Sequence, residues 1–178
     1  GGKLDLSTTS YDIYLNSHGR LSVNDSYTGD VTLIAARNFS ADNTVLRSFT
    51  GKLWLQSAGG FALGKSSADG SLYKDLVVKA LGANWTNTFS NITAGTGFVH
   101  LETGYALNNP FAIKTAGSVT LKSRYTTVYN TGQIQSLGAK VHLIADRQHI
   151  ESRANLIGHT GVEVTAGTPA VLWVRARD

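Results

Sequence analysis

The chain has 178 residues, which is enough for one domain with a substantial apolar core. It has no cysteine, so disulfides and thiolate metal sites are excluded, and no apolar run of about 18 residues that could span a membrane as a helix. The net charge is +4, but the basic residues are scattered along the sequence, which does not favour nucleic-acid binding. No glycine-rich loop opens a helix, so we predict no cofactor.

Residues 1–30 are the least regular part of the chain. Asp12–Leu15 and Arg20–Val23 are typical of short strands and predict an incomplete first coil of a repeat. From residue 31 onward, short strands with alternating apolar and polar residues recur, each with one apolar anchor: Val31, Leu53, Leu76, Val99, Val119, Val141 and Val162. Successive anchors lie 22, 23, 23, 20, 22 and 21 residues apart, which indicates a repeat with a period near 22.

Two further apolar positions recur in the coils. The first lies eight or nine residues after the anchor and is occupied by Phe39, Phe61, Trp85, Leu107, Val128 and Ile150. The second lies about 14 to 16 residues after the anchor and is occupied by Val45, Ile92, Ile113, Ile134 and Leu156. The coil that begins at Leu53 fits the second position poorly, and Ser66–Gly70 is predicted to be a turn or an excursion. Three inward positions per coil predict three short strands and a roughly triangular cross-section.

A coil of about 22 residues cannot bury its apolar side chains alone, but stacked coils bury a continuous core and pair each strand with its equivalents above and below. We therefore predict an all-β fold, a parallel β-helix (β-solenoid), as a single segment over residues 1–178. The first coil is irregular at 1–30, the coils are regular at 31–166, and the period breaks at 167–178. Because the chain has no methionine and no amphipathic capping helix, we expect a segment excised from a longer repeat protein.

Asparagines fall near the predicted third strand. Asn43, Asn109 and Asn130 precede it by two to four residues, and Asn91 directly precedes Ile92. Asparagine tolerates the left-handed conformation of tight turns, and stacked asparagines can form a hydrogen-bonded ladder. We therefore expect a ladder at this corner, although the offsets vary between coils.

The outward positions of the anchor strands form columns on the predicted surface. The first column contains Thr32, Trp54, Val77, His100, Thr120, His142 and Glu163. The second contains Ile34, Gln56, Lys79, Glu102, Lys122, Ile144 and Thr165. Such a face can bind an extended polymer or be covered by a neighbouring segment, and for Trp54 and Ile144 both alternatives remain open.

The candidate binding residues are the aromatic and histidine side chains of these coils: Trp54, Trp85, Tyr105, His100 and His142. An exposed ring can stack on the face of a sugar, whereas a scattered apolar residue usually belongs to the core. Trp85 falls at an inward position, which makes it the less favoured candidate. His100 and His142 lie two coils apart, about 9.6 Å in strand spacing, so we predict no metal site between them.

The densest polar run extends from His142 to Arg153. If Ile150 points inward, His149 and Glu151 point outward on the same strand, either as a reactive group or as a solvated surface with weak ion pairs. Hydrolysis of a glycosidic bond requires two carboxylates close together, and the 12 acidic residues are widely scattered. We therefore predict that the chain is not an enzyme, with a polysaccharide lyase or hydrolase as the alternative.

The repeat unit has the pattern Gly-x-Val-x-Leu-x-Ala/Ser followed by Asn-x-Gly-x-Ile, as in Gly117–Ser123 and Asn130–Ile134. Over about residues 30–166 it is similar to the repeats of filamentous haemagglutinin-like adhesins. The resemblance implies a right-handed β-helix, a secreted or cell-surface location, and export by two-partner secretion through an outer-membrane transporter. The short motifs of the family's N-terminal secretion domain are not found, which would make this an interior stalk or distal binding segment.

The leading hypothesis is therefore a structural and binding segment of a secreted bacterial cell-surface adhesin. Its partners would be a glycan or receptor on a host or bacterial surface, and the flanking repeats of its own polypeptide. One alternative is a polysaccharide-active β-helix enzyme or phage tail-fibre segment, which acidic residues converging on one outward face would favour. Another is a ligand-free stalk spacer, which would be favoured if every exposed aromatic proved to be covered.

Overall fold

The computed structural model describes residues 4–7, 13–16, 30–42, 48–63, 73–90, 92–94, 97–168 and 171–172. Within these ranges the secondary structure consists of strands, the strand pairings are parallel, and no helix is present, hence none long and apolar enough to cross a membrane. The predicted β-solenoid with about 22 residues per coil is thereby confirmed.

Eight strands form the first face of the solenoid. In spatial order they are β1 (Leu4–Ser7), β3 (Val31–Ala35), β5 (Ser48–Ser57), β7 (Tyr73–Ala80), β10 (Val99–Thr103), β13 (Val119–Ser123), β16 (Val141–Ala145) and β19 (Val162–Ala166). Each predicted anchor residue lies directly opposite the next anchor, from Val31 opposite Leu53 to Val141 opposite Val162. The period read from the sequence is therefore the register of strand pairing.

The second and third faces carry shorter strands. The second face contains β8 (Trp85–Thr86), β11 (Leu107–Asn109), β14 (Val128–Asn130), β17 (Ile150–Ser152) and β20 (Val171–Leu172). Three strands at the equivalent chain position form a separate sheet in the N-terminal coils: β2 (Ile13–Asn16), β4 (Phe39–Asp42) and β6 (Phe61–Leu63). The third face contains β9 (Ile92–Ala94), β12 (Ile113–Thr115), β15 (Ile134–Ser136) and β18 (Leu156–Gly158).

The two ends of the described chain also follow the repeat. Leu4 pairs with Val31 and Ile13 pairs with Phe39, so β1 and β2 are coil strands, of which only β2 was predicted. At the other end, β20 pairs with β17 through Val171 opposite Glu151, so the second face extends beyond the point where the sequence period breaks. The predictions for Arg20–Val23, Val45 and Ser66–Gly70 fall outside the described residues.

The apolar side chains of the three faces meet in one continuous core. On the first face, strands such as Val119–Ser123 alternate buried and half-buried residues, as the period-two pattern of a strand requires. The inward residues predicted for the second and third strands are buried wherever their side chains are described, except for the partly buried Phe61, which packs against the core. Full burial of one Val, Leu or Ile side chain contributes about 1.5–3 kcal/mol, so the stacked columns provide the main stabilisation.

A row of buried polar side chains runs inside the second face. Asn87 Nδ2 donates to Asn109 Oδ1 at 2.8 Å, Asn109 Nδ2 donates to Asn130 Oδ1 at 2.7 Å, and Asn130 Nδ2 donates to Ser152 Oγ at 3.1 Å. We call these four residues the inner asparagine row. The expected ladder is confirmed for Asn109 and Asn130, Asn87 was not predicted, and Asn43 and Asn91 lie outside the described side chains.

The corners between faces keep successive coils in register. A Cβ atom on Gly104 would overlap the carbonyl oxygen of Leu81 in the preceding coil, so only glycine permits this close approach of two backbones. At another corner position, Asn84 Oδ1 accepts a hydrogen bond from the backbone N–H of Ala106 at 2.9 Å. Because the corners stack in this way, side chains at equivalent positions of successive coils form columns on the surface.

Candidate functional site

Trp54 lies half-buried in the first outward column of the first face. The ammonium groups of Lys52 and Lys79 each lie 5.0 Å from the centroid of its ring, and its Nε1 donates to Gln56 Oε1 at 3.3 Å. These are cation–π and hydrogen-bond contacts with side chains of its own strand and of the neighbouring one. The ring is therefore engaged by the protein itself, which reduces the area that it can offer to a sugar.

Glu102 is the centre of a charged network on the same face, and its side chain is only 5% exposed. Oε1 accepts a hydrogen bond from Arg124 Nε at 2.7 Å, Oε2 lies 3.1 Å from His100 Nε2, and Lys79 Nζ lies 3.8 Å from Oε2. The hydrogen bond from His100, together with the hydrogen bond and charge of Arg124, outweighs burial and lowers the pKa of Glu102 to about 2. The carboxylate thus stays ionised in a partly buried position.

His142 belongs to a second network on this face. Its Nδ1 lies 3.1 Å from Glu163 Oε2, and Lys140 Nζ contacts the other oxygen of that carboxylate. The hydrogen bond from Lys140 is the main cause that lowers the pKa of Glu163. His100 and His142 lie on either side of Thr120 in the pairing register and contact different carboxylates. In the described ranges, no three histidine or acidic side chains converge to hold a metal ion.

Trp85 lies in the core, and its side chain is only 6% exposed. Its ring makes edge contacts with Phe61 at 5.6 Å and with Phe89 at 6.3 Å between centroids. The predicted role of Trp85 in binding is incompatible with this position, because a buried ring offers no face to an external ligand. The physical reason is the repeat itself, which places this position inward in every coil.

Tyr105 is the one predicted binding aromatic that is strongly exposed. Its ring is 45% exposed and lies 5.7 Å from the ring of Tyr125, which is 43% exposed. The guanidinium of Arg147 lies 5.1 Å from the centroid of the Tyr125 ring, but Tyr125 remains exposed, whereas Trp54 beside its two lysines is half-buried. These three residues, which we call the tyrosine row, occupy the corner that joins the first face to the second. The prediction missed Tyr125 and Arg147, although each follows its anchor by six residues, as Tyr105 does.

A depression with a volume of about 320 Å³ lies on the outer surface of the second face. Tyr129 is 38% exposed and meets the ring of His149 edge-on at 6.0 Å. Glu151 Oε1 accepts a hydrogen bond from Arg153 Nε at 2.6 Å and forms an ion pair with Arg153 Nη2 at 2.5 Å. We call this site the second-face depression, and its lining residues are Asn108, Tyr129, Asn130, Thr131, Glu151 and Arg153.

The sequence predicted part of this second site. Glu151 and His149 were expected to point outward on one strand, and the inward position of Ile150 between them is confirmed. Tyr129 was not predicted, although it directly follows the inward residue Val128 and must therefore point outward. The pairing register places Tyr129 between Asn108 and Glu151, and this stacking across three coils brings the lining residues together.

A second depression, of about 450 Å³, lies on the third face. Phe111 is exposed beside it, and Lys114 is the one charged residue among its lining side chains, which are Ser90, Ile92, Phe111, Ala112, Ile113, Lys114, Gln133 and Gln135. Its lining therefore lacks the pair of opposite charges that lines the second-face depression.

Comparisons of this chain with protein-family models, curated proteins and solved structures find no match. The solenoid fold itself is compatible with several functions. The resemblance to filamentous haemagglutinin-like adhesins rests on the repeat unit in residues 117–134 and its degraded copies. The functional interpretation must therefore start from the exposed surface.

Proposed function

We propose that this chain is a structural and binding segment of a secreted bacterial cell-surface adhesin, which attaches to glycans through the corner between its first and second faces. The observation that carries the proposal is the tyrosine row, in which Tyr105 and Tyr125 expose their rings at equivalent positions of successive coils. Exposed tyrosine rings combine an apolar surface, on which a sugar face can stack, with a hydroxyl group that hydrogen-bonds.

The stacking of coils supports this proposal. Adjacent strands of a sheet lie about 4.8 Å apart, so the solenoid presents its rings at a fixed spacing along a rigid edge. An extended polymer can then make several weak contacts at once, and linked contacts bind more tightly than any single contact. Attachment by a rigid row needs no conformational change, which suits a protein that displays its surface at a distance from the cell.

The location and partners belong to the same proposal. Secretion through an outer-membrane transporter and stacking against flanking repeats follow from the resemblance of the repeat unit. A glycan on a host or bacterial surface is the ligand class that exposed tyrosines favour. A receptor protein is the alternative partner.

The competing functions are distinguished by particular residues. A ligand-free spacer would cover its aromatic rings, whereas Tyr105, Tyr125 and Tyr129 are exposed in the described part of the chain. Among the described residues, Glu151 and Arg153 in the second-face depression are the pair that favours a polysaccharide-active enzyme. Glu151 is the one carboxylate among its lining residues, and glycoside hydrolysis uses two. That the chain is not an enzyme stays a prediction.

The test is retention on immobilised neutral and acidic polysaccharides, read together with the release of new chain ends. We expect at least one polymer to retain the protein without cleavage, and the double variant Tyr105→Ala, Tyr125→Ala to reduce retention at least tenfold. Trp54→Ala is the matched aromatic control and should be retained by the polymer as the wild type is, because the ring of Trp54 is engaged by Lys52 and Lys79.

Two results would overturn this proposal. Retention that is unchanged in the double tyrosine variant would remove the tyrosine row as the binding surface. New chain ends that disappear in Glu151→Gln would establish an enzyme in place of an adhesin segment.

A further inference from the structure

The second-face depression has the size and the chemistry of a site for a single small ligand. Its volume of about 320 Å³ lies at the lower end of the range of small-molecule sites, roughly 300–1,000 Å³. Tyr129 contributes an aromatic ring that is held edge-on against His149. The side chains of Asn108 and Thr131 add an amide and a hydroxyl group, so the lining combines one aromatic ring with several hydrogen-bonding groups.

The Glu151–Arg153 pair determines which ligands this site can select. Arg153 Nε donates a hydrogen bond to Glu151 Oε1, and Arg153 Nη2 forms an ion pair with the same oxygen. A guanidinium has five N–H donors and a carboxylate has two oxygens, so donors and one acceptor oxygen of the pair remain for a ligand. Both groups are planar and already oriented by their mutual contact, which reduces the entropy lost when a ligand binds.

The charges of Glu151 and Arg153 cancel, and this favours neutral sugars over anionic sugars in the depression. Because Arg153 is neutralised by Glu151, an anionic sugar gains little attraction and meets the charge of the Glu151 carboxylate. A neutral sugar with two adjacent hydroxyl groups can instead donate to the carboxylate oxygen and accept from the guanidinium. Its apolar face can at the same time contact the ring of Tyr129.

We propose that the second-face depression is a subsite for one neutral sugar unit that carries two adjacent hydroxyl groups, and that it discriminates against uronic acids. This inference deepens and rests on the proposed function, because the unit would belong to the polymer that the neighbouring tyrosine row contacts. It assigns specificity to Tyr129, Glu151 and Arg153, and general attachment to Tyr105 and Tyr125.

The test measures binding of cellotetraose, mannotetraose, galactotetraose and tetragalacturonate to the whole chain by isothermal titration calorimetry. We expect at least one neutral tetrasaccharide to bind at least tenfold more tightly than tetragalacturonate. Tyr129→Ala and Arg153→Ala should each weaken that binding at least tenfold. Glu151→Gln should reduce the preference for the neutral ligand, because it leaves the guanidinium of Arg153 without its counter-charge and able to attract a uronate. Lys114→Ala, in the third-face depression, is the matched control and should bind as the wild type does.

The outcomes separate this inference from the proposed function. If tetragalacturonate binds as tightly as the neutral ligands, or if Tyr129→Ala and Arg153→Ala bind unchanged, the subsite is overturned while retention by the tyrosine row can still stand. If no polysaccharide is retained but a neutral tetrasaccharide binds through Tyr129, the adhesin proposal fails and the subsite stands. Absence of all binding overturns both. Urea denaturation of each variant establishes that it is folded, and Tyr129→Phe tests the ring without removing it.

Discussion

The first and second faces of this solenoid place their polar groups on opposite sides of the sheet. On the first face the interior is lined mainly by apolar residues, and the charged side chains lie outside, where Glu102 gathers Lys79, His100 and Arg124. On the second face a polar row lies inside, in the column that contains Asn109 and its neighbours. The outer surface of the second face carries the exposed ring of Tyr129 and a depression, and the tyrosine row lies at its corner with the first face.

This difference shows which surface is available to a ligand. On the first face charged outward side chains pair with one another, and the ring of Trp54 contacts two lysines. On the second face the inner asparagine row joins the coils inside the core, and the outward positions carry the exposed Tyr129 and the second-face depression. We therefore propose the tyrosine row and the second-face depression, rather than the column of Trp54, as the binding surface.

The largest effect is expected from Asn109→Ala, which breaks the inner asparagine row at its middle. Asn109 is fully buried, accepts from Asn87, and donates to Asn130 and to the carbonyl oxygen of Phe111. Its removal takes away these three hydrogen bonds inside the core and creates a cavity, which we expect to cost about 3–5 kcal/mol of unfolding free energy. Urea denaturation measures this loss.

The neighbouring residue supplies the control for that experiment. Asn108 lies on the same strand but points outward, so Asn108→Ala should change the unfolding free energy by about 0.5 kcal/mol or less. Equal losses for Asn108→Ala and Asn109→Ala would show that the inner row does not stabilise the fold as described.

The second-largest loss of stability is expected in the charged network around Glu102 on the first face, and it depends on pH. The pKa of Glu102 is about 2 in the folded chain and 4.5 in its unperturbed state. Because the pKa of Glu102 is lower in the folded chain, its ionised carboxylate stabilises the fold at pH values above about 4.5. This stabilisation is lost as the pH falls from about 4.5 toward 2. At about 1.36 kcal/mol per pKa unit, the loss is of the order of 3 kcal/mol, to be measured by urea denaturation across this pH range.

Two carboxamide variants separate Glu102 from the other carboxylates. Glu102→Gln should lower stability by roughly 3 kcal/mol at pH 7 and should lack the part of the pH dependence that Glu102 contributes. Glu151→Gln, on the outer surface of the second face, should lose less than about 1 kcal/mol and keep the acid dependence. The same loss in both variants would contradict the comparison of the two faces.

A smaller effect is expected from Trp54→Leu. Each cation–π contact at a partly exposed site contributes about 0.5–1 kcal/mol, and Trp54 makes one with Lys52 and one with Lys79. We therefore expect a loss of about 1–2 kcal/mol in thermal or urea unfolding, without a change in polysaccharide retention. Lost retention at unchanged stability would return the binding surface to the first face.

The smallest effect is expected from Lys122→Ala. Lys122 Nζ lies 3.1 Å from Asp146 Oδ2, but both side chains are substantially exposed. Exposed ion pairs contribute about 0–1 kcal/mol, so we expect a loss of no more than about 0.5 kcal/mol, decreasing further in high salt. A loss as large as that of Glu102→Gln would mean that the exposed Lys122–Asp146 ion pair stabilises the fold as much as the nearly buried Glu102 does.

The inner asparagine row was predicted from the sequence only in part. Asn87, Asn109 and Asn130 each lie two residues after an inward residue of the second face, and Ser152 follows the same offset. Measured from the third strand instead, the asparagines had variable offsets, which concealed Asn87. The constant spacing of these residues is visible in the sequence when it is measured from the second strand of each coil and not from the third.

The candidate site was less accessible from sequence. Tyr105 was predicted, and Tyr125 and Arg147 share its offset from the anchor, so the tyrosine row could have been found by the same alignment. The second-face depression could not, because its volume depends on how Tyr129 and Arg153 pack against their neighbours. Nor does residue type reveal that Glu102 is nearly buried while the equivalent Lys122 remains more exposed.

The sequence by itself determined the period, the strand register and which side chains point inward, because a strand alternates its side chains and a stacked repeat pairs each residue with its equivalent. Only the tertiary structure determined which outward side chains are exposed and which are held by contacts with neighbouring side chains. That outcome depends on contacts between side chains of neighbouring coils, such as Trp54 with Lys79 or Tyr105 with Tyr125. Side-chain length and rotamer set these contacts, and neither follows from periodicity.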